Sequence, residues 1–293
     1  GALEDKSREF DEVVKTGRTH LQDATPIRLG QEFKGYAGQV QRSIGRVRKA
    51  QEDLTEVALG GTAVGTGVNT HPEFAGKVCE RLSERFGVEV RETENHFQAQ
   101  SAMDGTVFVS GALKTVAVSL MKVANDIRWL GAGPRANLAE IALPEVQPGS
   151  SIMPGKVNPV IAESTMMVAA QVIGNDATIA LAGQSGNFEL NTMLPLIAYN
   201  LLQSIDILGG AAANLANQTV VGLEATERGP ELVEKGLMLA TALAPEVGYD
   251  KAAEIAKEAF KTGKTIREIA REQTDLSDEE LDEVLDAKKM TGT

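Results

Sequence analysis

Hydrophobic residues return at spacings of three and four along most of the chain, which predicts long helices. The clearest run is Val107 to Leu130, where Val109, Leu113, Val116, Leu120, Val123, Ile127 and Leu130 form one stripe before Gly131–Pro134 stops it. The same period predicts a helix from about Leu29 towards Leu59, with Arg46, Arg48, Lys49, Glu52 and Asp53 on its wet side. Two more are predicted over 162–181 and 194–215. Residues 1–15 read as the end of an amphipathic helix, with Leu3, Phe10, Val13 and Val14 on the apolar side. Thr16–Phe33 and Gly60–Phe74 read as polar, glycine-containing connections, and Pro72 suits the first turn of the helix that follows. Period-two alternation is weak throughout, with Val88–Val90 the one hint of a strand.

Past Val221 the texture changes. Glu227–Pro230 reads as a linker, and shorter, more charged helices are predicted over 230–244, 249–262, 265–272 and 276–286. Ser277 with Glu280 three residues later fits a capping box, and Leu276, Leu281 and Leu285 pack inward from an otherwise acidic helix. The predicted fold class is all-α: a bundle of long helices over residues 1–225, with a smaller helical C-terminal domain over 226–293.

Composition narrows the function classes. Hydrophobic residues at 42% and charged residues at 24% exclude disorder. Aromatics are only 4%, so the core packs through small and aliphatic side chains. The formal net charge of −12 argues against nucleic acid as a partner and requires any anion site to be locally positive. Cys79 stands alone, which excludes an internal disulfide and a cysteine metal cluster and points to the cytoplasm. The histidines His20, His71 and His96 lack ligand spacing, so no metal is expected. No run reads as long enough to span a membrane, because the most apolar region, 165–183, is interrupted by Gln171, Asn175 and Asp176. The chain opens at Gly1 inside a helical pattern, and the expectation is that the natural protein continues upstream.

The stretch GSSIMPGKVNPV, Gly149–Val160, is the most unusual. Pro154 and Pro159 keep it from being a regular helix or central strand. Gly149, Ser150 and Ser151 offer N–H groups and hydroxyls, Lys156 a positive charge, and Asn158 both a donor and an acceptor. Such a set fits a small dianion and charge developing on one of its carboxylates. Ile152, Met153 and Val157 read as apolar anchors of the loop. Taken singly, each feature has a plainer reading: a surface lysine, a loop histidine at His20, and at Glu163 a first-turn glutamate favoured by the helix dipole. GGTAVGTG lacks the Gly-Lys-Ser/Thr ending of a phosphate loop.

Gly149, Ser150, Ser151, Met153, Pro154, Lys156, Asn158 and Pro159 together resemble the signature loop of the fumarase/aspartase superfamily. GRTHLQDATP (17–26), GGTAVGTGVNTHPEF (60–74), GNFELN (186–191) and GYDKAAEIAK (248–257) resemble class II fumarate hydratases, in the same order. The resemblance implies a homotetramer whose active sites are shared between subunits, with no cofactor. It implies loss of a carbon-bound proton and of hydroxide, interconverting malate and fumarate. Ser150 would be the base, with Ser151, Lys156, Val157 and Asn158 binding the dicarboxylate. A free serine hydroxyl is a poor base, so nearby N–H groups and Lys156 must stabilise its alkoxide. His20 would be the acid/base residue acting through water, paired with Glu163, with Thr19 touching the substrate; histidine suits that role because it titrates near neutrality. Thr62 and Asn69 would support the site, and His71 and His96 would be structural or surface residues.

His20, where aspartases typically carry glutamine, and Gly155, where they usually carry alanine, make aspartate ammonia-lyase the runner-up. Argininosuccinate and adenylosuccinate lyases are more remote, and a non-catalytic helical assembly protein is the alternative of another class. The Ser/Thr/Asn-rich substrate-binding segments of the family pattern have no counterpart before Gly17. The resemblance therefore implies that this polypeptide alone is inactive.

Overall fold

The computed structural model describes residues 1–292. The chain is mostly helical and divides into two compact units, one of residues 1–38, 126–159 and 216–293, the other of residues 39–125 and 160–215.

The first unit opens with α1 (Ala2–Glu9), β1 (Val14–Thr19), β2 (Gln22–Arg28) and the start of α2 (Leu29–Gln51). Helix α1 stops well short of residue 15, and the polar connection expected after it is an antiparallel hairpin. The hairpin escaped the hydrophobic pattern because the buried residues of β1 are Lys15, Thr16 and Gly17. Its inward face is satisfied by charge pairing, so no apolar alternation is written there. Gly17 lies at a register shift between Thr16 and Arg18, where a Cβ would stand 2.5 Å from the Thr25 carbonyl oxygen. Phe10, Phe33 and Tyr36 stack edge to face, at 5.3 and 5.5 Å between centroids.

Residues 226–293 share this unit. Glu227–Pro230 is not a linker: α8 (Arg228–Lys235) starts there, with Pro230 in its first turn, where a missing N–H costs nothing. α9 (Ala240–Val247), α10 (Tyr249–Thr262), α11 (Ile266–Gln273) and α12 (Asp278–Val284) enclose Leu243, Ile255, Ile266, Ile269, Leu281 and Leu285. Val14 of β1 packs against this cluster. The predicted capping box at Ser277 and Glu280 forms, and a second joins Thr265 to Glu268. A short antiparallel pair, β5 (Ile141–Ala142) with β6 (Glu224–Ala225), ties the segment after residue 130 to the one entering α8.

In the second unit, α2 ends at Gln51 rather than near Leu59, and a 3-10 turn leads into β3 (Glu56–Val57). This strand pairs in parallel with β4 (Arg91–Glu92), so the strand follows Val88–Val90 instead of occupying it. Pro72 lies just ahead of α3 (Phe74–Phe86) rather than in its first turn. After α4 (His96–Ser101) come α5 (Asp104–Leu130), α6 (Val160–Gln184) and α7 (Leu194–Gln218), whose buried residues include Ala117, Ala162, Ala169, Ala182 and Ala211. Two polar layers set the register between these helices. Asn175 donates to Gln203 Oε1 and Ser204 Oγ, both at 3.0 Å, and Asp176 accepts from Ser110 Oγ at 2.8 Å and from Lys114 Nζ. A slip along either helix would strand these groups without partners.

The expectation that no run matches a membrane span fails on length and composition. Asp104–Leu130, Val160–Gln184 and Leu194–Gly222 are each long and apolar enough to cross a bilayer. Gln171, Asn175 and Asp176 interrupt the apolar run of α6 without making the helix polar on average.

Candidate active site

The hairpin presents Thr19, His20 and Leu21 at its tip. Thr19 pairs with Gln22, so the turn has only two residues, and both hold positive φ, 56° at His20 and 57° at Leu21. Turns of this kind favour Asn-Gly, so a histidine and a leucine here store strain of order 1 kcal/mol each. Thr19 and His20 are exposed. Among the described residues the His20 ring makes no hydrogen bond, so it is offered outward by a strained, short turn.

Behind the tip lies a buried charge network that the sequence reading missed. Arg18 donates to both oxygens of Glu140, at 3.0 and 2.9 Å. Lys15 Nζ lies 2.9 Å from Glu32 Oε1 and 3.3 Å from Glu140 Oε2, and donates to the Thr16 carbonyl at 2.8 Å. The Lys15 and Glu140 side chains are each 1% exposed. Burial pushes the Glu32 carboxyl up from its ordinary value, although Lys15 pulls it down. Burial likewise raises the Tyr36 phenol, which donates to Asp126 at 2.9 Å. The one sequence signal was a lysine and an arginine three apart next to His20; Glu140, 122 residues from Arg18, carries no motif.

Ser150, Ser151, Lys156, Val157 and Asn158 share one loop between residues 142 and 160. Ser150 Oγ accepts hydrogen bonds from the backbone N–H groups of Ile152 at 3.3 Å and Met153 at 3.1 Å. Two donors aimed at one hydroxyl oxygen favour negative charge on it. Asn158 Nδ2 donates to the Gly149 carbonyl and closes the loop on itself, while Lys156 Nζ donates to Asn158 Oδ1. Gly155 turns the loop at a φ of 76°. Ile152, Met153 and Val157 are 84, 48 and 38% exposed, so they do not anchor the loop within this chain. No hydrogen bond or ion pair joins the loop to Thr19 or His20 among the described residues. Glu163 stands in the first turn of α6, half-buried, in the other unit.

The remaining motifs of the sequence form frames. Asn191 is 1% exposed and donates to the Ala182 and Gly183 carbonyls at the end of α6, at 3.0 and 3.2 Å. In the glycine-rich stretch, Thr62 and Asn69 hold φ of 57° and 61°. His96 Nε2 lies 3.0 Å from the Leu59 carbonyl oxygen and 3.2 Å from Glu92, while the His71 side chain is exposed.

A family model described as "Lyase" matches residues 1–174, which include both the hairpin tip and the serine loop, and one described as "Fumarase C C-terminus" matches residues 239–292. The class II fumarate hydratase of Neisseria meningitidis is 53% identical over 97% of this chain. The chain belongs to the class II fumarate hydratase family, within the fumarase/aspartase superfamily. The mitochondrial fumarate hydratase of Rattus norvegicus is 50% identical over 99% of the chain. Among solved structures, the class II fumarase of Schistosoma mansoni superimposes with a TM-score of 0.94 at 38% identity, over 99% of this chain and 64% of that one. A fumarate lyase:delta crystallin from Brucella melitensis gives 0.95 at 47%, over 100% of this chain and 64% of that one. The chain spans 62% of the Neisseria relative and 58% of the rat one. Its likeness to these fumarate hydratases therefore covers the hairpin tip, the serine loop and the C-terminal helices, and about three-fifths of their length.

Proposed function

We propose that the whole protein is a fumarate hydratase, interconverting fumarate and (S)-malate in the cytoplasm as a homotetramer with shared sites. One observation carries the chemistry. Ser150 Oγ already receives two backbone N–H groups, the environment a serine needs to act as a base. In the dehydration direction the Ser150 alkoxide takes the proton from the carbon beside one carboxylate of malate. The electron pair moves into that carboxylate, and the extra charge falls to Lys156 and Asn158. The neighbouring C–O bond then breaks, and His20, through a water, supplies the proton with which hydroxide leaves as water. Ser151 and Val157 hold the dicarboxylate in the loop, and Thr19 touches it from the hairpin. Glu163 pairs with His20. An incoming carboxylate must replace the Lys156–Asn158 bond, so substrate binding remodels the loop.

Shared sites are supported by the lack, among the described residues, of any hydrogen bond or ion pair between the hairpin tip and the serine loop. The test follows the ultraviolet absorbance of fumarate with the full-length protein supplied with malate or with aspartate. Malate is expected to be converted, and Ser150→Ala to lose at least ~100-fold in kcat, the scale of a lost general base. Conversion of aspartate alone would overturn this reading in favour of an ammonia-lyase, and conversion of neither in favour of an assembly role. Full activity in Ser150→Ala would remove the serine from the mechanism.

A further inference from the structure

The proposed acid/base residue His20 rides on a strained two-residue turn, and the question is what holds that turn in place. The neighbouring Arg18 is gripped at both ends of its guanidinium by a single carboxylate, Glu140, at 3.0 and 2.9 Å. Glu140 is itself fixed through its backbone. Its N–H donates to the Leu130 carbonyl at 2.8 Å, and its carbonyl accepts from Thr226 N–H at 3.1 Å. Ala139 beside it is held by its own N–H to the Ala132 carbonyl at 2.9 Å and by the Thr226 hydroxyl at 2.6 Å. Lys15 joins the same carboxylate to Glu32 of α2.

A buried ion pair is a poor source of stability, because well-packed apolar residues of the same volume serve as well or better. What it supplies instead is direction. A planar guanidinium bound end-on, through both terminal nitrogens, by one carboxylate fixes both distance and angle. Here the fixed arginine stands two residues before His20, in the strand that ends at Thr19.

We propose that Glu140 is a positioning residue for catalysis: through its two-point grip on Arg18 it sets where His20 stands, and so governs departure of the hydroxyl more than removal of the carbon proton. This rests on the fumarate hydratase reading above. Among the described residues Glu140 makes no hydrogen bond or ion pair with the serine loop. Its loss therefore separates the two halves of the reaction.

The experiment uses the full-length protein with Glu140→Gln, which keeps size but loses the charge, and Glu140→Asp, which keeps the charge but shortens the arm. Two rates are measured at early times in deuterated water: fumarate formation, and exchange of solvent deuterium into the carbon-bound position of malate. Fumarate formation is expected to fall ~10- to 100-fold, the cost of misplacing a catalytic group by about 1 Å, with KM changed less than about 3-fold. The ratio of exchange to fumarate formation is expected to rise at least ~5-fold, because proton removal by Ser150 continues while the intermediate returns to malate. A merely structural role lowers both rates together and leaves the ratio unchanged. That result in either folded variant, or wild-type kcat in both, would overturn the proposal. If Glu140→Gln fails to fold, Glu140→Asp decides. A wild-type protein inert towards malate would instead overturn the functional reading on which the proposal stands.

Discussion

At Gly149 the backbone leaves no space for any side chain, since a Cβ would stand 1.4 Å from the Lys156 carbonyl oxygen. The two ends of the loop close on each other here, with Asn158 Nδ2 bonded to the Gly149 carbonyl. The glycine is thus the condition for a loop that brings Ser150, Lys156 and Asn158 into one turn of chain. Gly149→Ala in the full-length protein is expected to lower kcat/KM for malate at least ~10-fold, because the closing bond cannot form in the same geometry. The midpoint of thermal unfolding is expected to stay within about 2 °C, because the loop is largely exposed and buries little apolar surface. Unchanged kinetics would show that the loop closes differently in the working enzyme. The residues that share this loop were legible in the sequence because the family signature names each one. The two N–H groups on Ser150 were legible only as a requirement, since backbone donors have no letter.

Among the elements, the capping boxes of α11 and α12 show what sequence conveys well. Each is a local device of four residues, and Ser277 with Glu280 could be read directly. The hairpin shows the reverse. Its inward residues Lys15 and Arg18 are charged, and their partners Glu32 and Glu140 lie far along the chain, so hydrophobic alternation had nothing to report. The capping boxes also give a pH dependence. The Thr265 backbone N–H and then its hydroxyl hold the Glu268 carboxyl below its ordinary value of 4.5, and Ser277 does the same for Glu280 in that order. A folded value below the unfolded one adds stability that is complete above pH 4.5 and is lost as pH falls through the folded value. Thr265→Ala is expected to cost about 1 kcal/mol at neutral pH by denaturant unfolding. The gap between wild type and variant should narrow as the pH is lowered below 4.5. A gap that stays constant across that range would show that the carboxylate adds nothing to the cap.

For the whole molecule, the decisive feature is the outer face of α7. Ile197, Asn200, Leu201, Ser204 and Leu208 are buried, yet Leu196, Tyr199, Leu202 and Ile205 follow one another at spacings of three on an exposed side. A helix that is apolar on two faces is normally buried on both. On α6, Met167 and Leu181 are 71 and 70% exposed. Single exposed apolar residues need no explanation, but a continuous stripe marks an interface. Periodicity alone predicts long helices and cannot tell a face that meets the same chain from one that meets another copy; the tetramer proposed above is implied only by the family resemblance. Light scattering of the full-length protein is expected to give the mass of four chains. Leu202→Glu places a charge in the middle of the stripe, where burial without a partner costs several kcal/mol per subunit, on the order of the penalty for an unpaired buried charge. It is expected to yield dimers or monomers with retained helicity and, if the proposed site joins Ser150 and His20 of neighbouring subunits, to lose malate turnover together with assembly. A Leu202→Glu protein that remains tetrameric, or one that dissociates and keeps full activity, would separate the stripe from assembly or assembly from catalysis.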